Sequence, residues 1–139
     1  MYPAFSPPPA APRRIDVIQR VSANDIAASK KFYDAILGVL GVAPGAGGDD
    51  RVFWMTPTGI FAITKPINGE PAGPGNGSTI GFSVSGPEQA DAWHAAGLAA
   101  GGSACEDPPG VRPSSMGDLY LAYLRDPAGN KLCALHRMG

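Results

Sequence analysis

The fold is decided by the stretch Tyr123-Leu-Arg-Asp-Pro-Ala-Gly-Asn-Lys-Leu-Cys-Ala-Leu-His136. Both of its flanks are apolar and rich in residues that favour strands. Asp126-Pro127 starts a turn, because proline presets φ near about −65° and an aspartate side chain can bond its own backbone two residues on. Gly129 and Asn130 tolerate the positive φ that tight turns need. The stretch therefore predicts two antiparallel strands joined by a tight turn, with Gly129 at or beside that turn.

The residues before this hairpin predict a strand, a helix and then more strands. Pro87 suits a first helical position, and Gly101-Gly102 ends the helix. A long loop, Glu106 to Asp118, precedes the final hairpin. The strands predicted in this half are Ser78 to Ser85, Ser103 to Cys105, Leu119 to Leu124 and Lys131 to Leu135. The order of elements is β-α-β-β-β.

The first half of the chain repeats that order. A helix follows the capping side chains of Asn24 and Asp25 and carries an apolar stripe with a period of about 3.6 residues. The strands predicted here are Arg14 to Ser22, a short edge strand within Val42 to Asp50, Arg51 to Thr56 and Ile60 to Lys65. One such unit cannot close its own sheet, so the weak internal repeat predicts two modules that pack together.

Length and charge exclude several classes of function. The chain has 139 residues, a formal net charge of −1 and no basic run, so nucleic acid is a poor candidate partner. No apolar stretch approaches the length of a membrane span. Two cysteines are too few for a disulfide framework, and we expect reduced thiols and a cytoplasmic protein. Residues 1–13, which are rich in proline, predict a flexible arm that can fold over a neighbouring subunit, followed by a single domain over residues 14–136.

The closing hairpin resembles the signature that ends proteins of the glyoxalase, bleomycin-resistance and dioxygenase family, the vicinal oxygen chelate superfamily. Asp25 to Leu37 is similar to the family's first-helix pattern, and Pro108 to Pro113 is similar to a proline-glycine-arginine motif of one bacterial subgroup. The resemblance implies an α+β fold of two βαβββ modules, about residues 14–66 and 77–136. These would form a curved, mostly antiparallel eight-stranded sheet around a cleft, with the helices on its outer face.

In enzymes of this family two histidines and two glutamates typically hold a divalent ion in that cleft. The matching positions here are Val17 or Ile18, a position within Arg51 to Thr64, Thr79 and Cys133. The second stretch contains no carboxylate, imidazole or thiol, and a lone cysteine does not make a metal site. We therefore predict no metal and no cofactor. Purified protein should carry no stoichiometric Ni, Zn, Fe or Mn, and a chelator should leave its Tm unchanged.

Without a metal, the cleft itself is the candidate site, and no catalytic residue is assigned. The predicted ligand-binding residues are Trp54, Thr79, Arg112, Tyr120 and Cys133. Alternation along the strands places about half of the large aromatic residues against the helices instead. Arg112 lies in the loop predicted to cap the cleft, where it can bind an anionic or carbonyl group or be an ordinary exposed charge. Cys133, with no cation beside it, is expected to be a small apolar lining residue rather than a nucleophile.

Three functions remain open at the level of sequence. The favoured one is a homodimeric protein without metal that binds a small, partly apolar molecule, as the family's drug-binding resistance proteins do. The alternative is a lyase or dioxygenase of the glyoxalase family that acts on a small metabolite. A weaker alternative is a non-catalytic interaction protein whose cleft is filled by its own side chains.

Overall fold

The computed structural model describes residues 17–139. The predicted arm and the first residues of the predicted first strand lie outside that range. The elements, in chain order, are β1 (Val17–Ser22), α1 (Ile26–Val39), β2 (Ala46–Gly47), β3 (Arg51–Thr56), β4 (Gly59–Thr64), β5 (Ile80–Ser83), α2 (Pro87–Ala99), β6 (Ser103–Ala104), β7 (Gly110–Arg112), β8 (Leu119–Arg125) and β9 (Lys131–Arg137).

Capping residues, a proline and a glycine explain where the helices begin and where α2 ends. The Asp25 carboxylate accepts a hydrogen bond of 3.0 Å from the backbone N–H of Ala28, which caps α1. Helix α2 begins at Pro87, whose missing N–H is not needed in a first turn. After α2, Gly101 adopts a φ of 101°, a left-handed conformation that stops the helix at little cost for glycine.

The strands form two sheets. Sheet 1 has the order β1-β4-β3-β2, and sheet 2 has the order β5-β9-β8-β6, with β7 also paired to β8. Strands β1 and β4 run parallel, as do β5 and β9, and the remaining pairs are antiparallel. The two modules thus share one topology, as the internal repeat predicted.

The α+β class and the two β-α-β-β-β modules are confirmed, with two differences in detail. The strands form separate sheets of four and five strands, because the edge strands β1 and β5 are not hydrogen-bonded to each other. The predicted loop Glu106 to Asp118 contains β7, whose residues pair with Leu119 to Leu121 of β8. The hydrogen bonds of this strand pair satisfy the backbone groups in the middle of the predicted loop. The stretches without secondary structure on either side of β7 are therefore shorter than the sequence suggested.

The modules pack through their helices. Helix α1 contacts α2, and a Cβ placed on Gly97 of α2 would lie 2.3 Å from Leu124 and 3.2 Å from Phe32 of the other module. The absence of a side chain at Gly97 therefore allows α1, α2 and sheet 2 to approach one another closely. Phe61 of sheet 1 also meets Phe82 of sheet 2, with ring centroids 5.5 Å apart. One core consequently runs through both modules.

The closing hairpin also joins the modules. Gly129 has a φ of 92°, as expected at the turn, and Asp126 is only 4% exposed. One carboxylate oxygen of Asp126 accepts the backbone N–H groups of Ala128 and Asn130. The other accepts the Tyr33 hydroxyl of α1 at 2.5 Å and the side-chain amide of Asn130. That amide also donates to the carbonyl of Ser22 at 2.9 Å, so the turn is bonded to both β1 and α1.

Each sheet has a back face, which packs on a helix, and a front face, which is turned away from it. Trp54 and Phe61 contact Tyr33 of α1 and mark the back face of sheet 1. Phe82 contacts Trp93 of α2 and marks the back face of sheet 2. Because side chains alternate along a strand, the register then assigns each remaining strand residue to one face.

Candidate functional site

The front face of sheet 1 presents an apolar row. Ile18, Ile60 and Met55 stand side by side on three neighbouring strands. Ile18 is 66% exposed and Met55 is 71% exposed, which is unusual for side chains of this size. The next row on the same face holds Arg20 and Phe53. This surface can bind apolar groups beside a positive charge.

The front face of sheet 2 carries side chains with chemical reactivity. Cys133 lies between Gly81 and Tyr123 in the register, and only 8% of it is exposed. Lys131 is on the same face, where its ammonium lies 5.0 Å from the centre of the Tyr123 ring. The ammonium also forms an ion pair with Glu106. Glu106 has a φ of 59°, the one non-glycine residue with positive φ in the described part of the chain.

Burial governs the protonation of this group of side chains. Burial raises the pKa of the Cys133 thiol, and the charge of Glu106 adds to this effect. The charge of Lys131 partly offsets it, so the expectation that no cation lies beside Cys133 was wrong. Burial is also the largest cause that raises the pKa of the Tyr123 hydroxyl, and its interactions with Glu106 and Cys133 raise it further. The positive charges of Lys131 and Arg112 act in the opposite direction. Both groups therefore stay protonated at neutral pH. Neither is activated as a nucleophile or a base.

Arg112 lies at one end of this front face, in β7. Its Nη2 donates to the carbonyls of Asp107 at 3.1 Å and Pro108 at 2.9 Å. The guanidinium is half-buried and folds back over Gly110, where a Cβ would meet Nη1 at 3.3 Å. Sequence placed Arg112 in a loop over the cleft mouth; the structure places it in a strand with its side chain held by the preceding turn.

Two of the predicted ligand-binding residues lie on back faces. Trp54 is 2% exposed and packs against Tyr33 and Phe61, and its indole N–H donates to Asp34 at 3.0 Å. The Tyr120 hydroxyl donates to Asp91 of α2 at 2.6 Å, a bond that raises the pKa of Tyr120. Both side chains are directed towards the helices and away from the face that holds Cys133.

A large cavity lies between the modules. It has a volume of about 880 Å³ and is lined by the end of α1, the turn between β3 and β4, and the edges of β1 and β5. Trp54 and Thr79 line it, so the structure brings these two predicted residues together and separates them from Cys133 and Arg112. None of the twenty lining residues is titratable at its side chain. The cavity can therefore bind a small molecule, but its lining offers no carboxyl, imidazole, amine or thiol group.

The structure places the residues that the resemblance matches to metal ligands on several strands. On β1, Ile18 lies on the front face and Val17 on the back face, and both side chains are aliphatic. Thr79 precedes β5, and Cys133 is on β9. The front-face residues of β4 are Ile60, Ala62 and Thr64.

The histidines do not complete such a set. His94 lies in α2, and His136 pairs with Tyr120 on the back face of sheet 2. Within residues 17–139 no three His, Cys, Asp or Glu side chains lie close enough together to hold a metal ion. The same residues contain no helix with the length and apolar character that crossing a membrane requires.

The fold and this chain's sequence both match known proteins. The model of the Glyoxalase/Bleomycin resistance protein/Dioxygenase superfamily matches residues 14–134. The chain belongs to this superfamily. It is 60% identical to a glyoxalase/bleomycin resistance protein from Albidiferax ferrireducens, with a TM-score of 0.84 over 86% of this chain and 97% of the other.

More distant structures share the fold alone. A glyoxalase/bleomycin resistance protein/dioxygenase family enzyme from Burkholderia phytofirmans is 18% identical, with a TM-score of 0.64 over 85% of this chain and 94% of the other. A virulence protein from Salmonella typhimurium is 24% identical, with a TM-score of 0.61 over 93% of this chain and all of the other. A search among curated proteins gave no match.

The binding residues predicted from sequence do not include three residues of the candidate site. Tyr123, Lys131 and Glu106 surround Cys133 on the front face of sheet 2. Tyr123 and Lys131 carried a signal, because counting outward from the turn residues Asp126 and Asn130 places Tyr123 opposite Cys133 and gives Lys131 the same strand parity. Glu106 carried none, because its position depends on how the segment before β7 folds.

Proposed function

We propose that the chain is a glyoxalase-superfamily protein that lacks the usual metal ligands and binds a small, partly apolar molecule on its front faces. The observation that supports this most is the donor set at the family's metal positions: Ile18, Thr79, Cys133 and the front of β4. Aliphatic side chains cannot bind a divalent ion, neutral hydroxyls bind one weakly, and the single thiol of Cys133 is too few ligands for a site. The same positions offer an organic molecule apolar contact.

The predicted ligand-binding residues stand in this proposal as follows. Arg112 and Cys133 share the front face of sheet 2, and Thr79 lies at the edge of that face next to the cavity. Trp54 is a contact for a molecule that enters the cavity from the edge. Tyr120 acts through Asp91 and α2 rather than by direct contact. Catalysis by a lyase or dioxygenase mechanism is the alternative, although no three His, Cys, Asp or Glu side chains among residues 17–139 lie close enough together to hold the metal ion that such enzymes of the family typically use.

We also propose that the protein is a homodimer in the cytoplasm. Strands β1 and β5 each pair on one side only within the described residues, and Val17 and Ile18 of β1 are largely exposed. A strand edge of that length is usually covered, and a second copy of the chain presents the same edges in return. Cys105 and Cys133 are free thiols, which suits a reducing compartment.

Elemental analysis of purified protein tests the proposal. We expect no stoichiometric Ni, Zn, Fe or Mn, and the same Tm with chelator, with added divalent ions and with neither, because no ion stabilises the folded state. A metal present at one equivalent, together with a fall in Tm on chelation, would return the chain to the metal-dependent enzymes of its superfamily. Light scattering of the same sample measures the mass and so tests the dimer.

A further inference from the structure

Within residues 17–139 the strands carry basic but no acidic side chains, although the net charge of the whole chain is close to zero. None of the nine strands of the described residues contains Asp or Glu, although the whole chain has twelve acidic residues. Six strand residues are basic: Arg20, Arg51, Arg112, Arg125, Lys131 and Arg137. The register assigns all six to front faces. The acidic residues of the described part lie in helices, turns and loops.

On sheet 2 these charges surround an apolar centre. Leu121, Leu135, Tyr123 and Cys133 occupy the middle of the front face. Basic side chains stand at both ends: Arg112 and Arg137 at one, Arg125 and Lys131 at the other. Glu106 lies beside this face and is paired with Lys131, while Asp107 and Asp118 lie in the segments that flank Arg112. The face therefore carries excess positive charge around a surface that favours an aromatic or aliphatic group.

Arg112 is prepared for an anion in particular. Its Nη2 is held by two backbone carbonyls, which fixes the guanidinium plane before any ligand arrives. The three N–H groups on Nη1 and Nε remain for other acceptors. Because Gly110 has no side chain, the Nη1 atom of Arg112 can lie over its backbone. Gly110 pairs with Leu121, which is two residues from Tyr123, so the guanidinium lies close to the apolar centre. A fixed guanidinium loses little entropy on binding, and its free Nη1 can donate a charge-assisted hydrogen bond to one oxygen of a carboxylate.

We propose that the front face of sheet 2 binds an amphipathic monocarboxylate, with its carboxylate on Arg112 and its apolar body over Leu121, Tyr123 and Cys133. This inference rests on the proposed function and deepens it by naming the class of ligand. The Tyr123 hydroxyl, which stays protonated at neutral pH, can donate a second hydrogen bond to the carboxylate. Phosphate alone lacks the apolar body and should bind more weakly.

The test compares 2-naphthoate, 4-phenylbutyrate and octanoate with the primary amide of each, by ligand-observed NMR titration at pH 7 and low salt. The full chain is used without added metal. Each carboxylate should bind about tenfold or more tightly than its amide, since a charge-assisted bond replaces a neutral one. Arg112→Gln should remove most of that difference. Lys31→Gln, which removes an exposed charge from α1, should leave it unchanged.

Gly110→Ala separates a fixed guanidinium from general electrostatic attraction, because it changes no charge. The added methyl group would crowd Nη1 and displace it, so carboxylate affinity should fall several-fold while amide affinity holds. Circular dichroism and melting of each variant show whether it is folded.

Equal affinity for acids and amides would overturn the inference and leave the proposed binding function standing. So would carboxylate binding that Arg112→Gln and Gly110→Ala leave intact. Failure of all three acids to bind would also overturn it. Binding that begins only when a divalent ion is added would overturn the proposed function itself.

Discussion

Replacement of Asp126 by alanine should destabilise the protein more than any other single loss of an acidic side chain. The carboxylate is almost fully buried and accepts four hydrogen bonds, from the Tyr33 hydroxyl, the backbone of Ala128, and the backbone and side-chain amides of Asn130. These bonds close the turn between β8 and β9 and join it to α1. The interaction therefore lies between the two modules as well as within the hairpin.

The magnitude follows from the donors that the change leaves unpaired. Tyr33 is fully buried and Asn130 is 7% exposed, so water reaches neither easily. Each buried donor without a partner costs about 1–3 kcal/mol. Ala128 is half-buried, so water can relieve part of its loss. We expect Asp126→Ala to lower the free energy of unfolding by about 3–5 kcal/mol. Tyr33→Phe removes one bond and leaves the carboxylate three donors, so it should cost about 1.5 kcal/mol.

Urea unfolding at pH 7 and one protein concentration measures these values, with tryptophan fluorescence as the signal. Asp49→Ala, which removes an exposed carboxylate, should change the free energy by less than about 0.5 kcal/mol. The double variant Asp126→Ala with Tyr33→Phe should cost at least about 1 kcal/mol less than the sum of the single changes, because both remove the same bond. A loss for Asp126→Ala as small as that of the control, or strict additivity, would refute the reasoning.

Three further predictions concern the core, the thiols and alkaline pH. Gly97→Ala should lower the free energy of unfolding by about 1–3 kcal/mol, because the added methyl group would overpack against Leu124. Gly38→Ala adds a methyl group with no atom within 4 Å, so it should raise the free energy of unfolding by about 0.5–1 kcal/mol through helix propensity. Urea unfolding of both variants measures these changes. Iodoacetamide at pH 8 should modify the partly exposed Cys105 faster than Cys133, because burial raises the pKa of the Cys133 thiol; mass spectrometry of Cys105→Ala and Cys133→Ala gives the two rates. Burial, and then the neighbouring Asp126, raise the pKa of Tyr33 well above its ordinary value, so between about pH 10 and the raised pKa only the unfolded chain loses the proton. Stability that is present below about pH 10 should therefore fall as the pH rises, and Tyr33→Phe should reduce that fall.

The elements that sequence predicted well are those with strong local signals. The closing hairpin has a turn whose proline, glycine and asparagine each suit one backbone position, and Gly129 takes the positive φ expected of it. Helix α1 has a side-chain cap at Asp25, and α2 has Pro87 in its first turn. Such signals depend on neighbours in the chain, so they can be read without the tertiary structure.

Strand β7 lacked such a signal. It has three residues between prolines, a pattern typical of a loop, and it becomes a strand only because β8 is beside it. The hydrogen bonds from Arg112 to Asp107 and Pro108 depend on that same pairing. The local sequence could therefore identify Arg112 as a candidate ligand-binding residue, but it could not show that its guanidinium donates to the two preceding carbonyls.

The orientations of Trp54 and Tyr120 needed the register of whole sheets. An alternating strand shows which residues share a face but not which face meets a helix, since both faces of these strands are partly apolar. The structure decides this through contacts between distant parts of the chain, such as the bond from Tyr120 to Asp91 and that from Trp54 to Asp34. Tyr123 was within reach of the sequence, because the turn at Asp126 sets the register of its own hairpin.

The central claim, binding without a metal, is tested most directly by one calorimetric titration performed twice. The compound that binds most tightly among the carboxylates and amides is titrated into the protein, once as purified and once after treatment with excess chelator and dialysis. We predict one site per chain and the same Kd in both titrations, because the ligand contacts side chains and backbone alone. Loss of binding after chelation, restored by one equivalent of a divalent ion, would contradict the account.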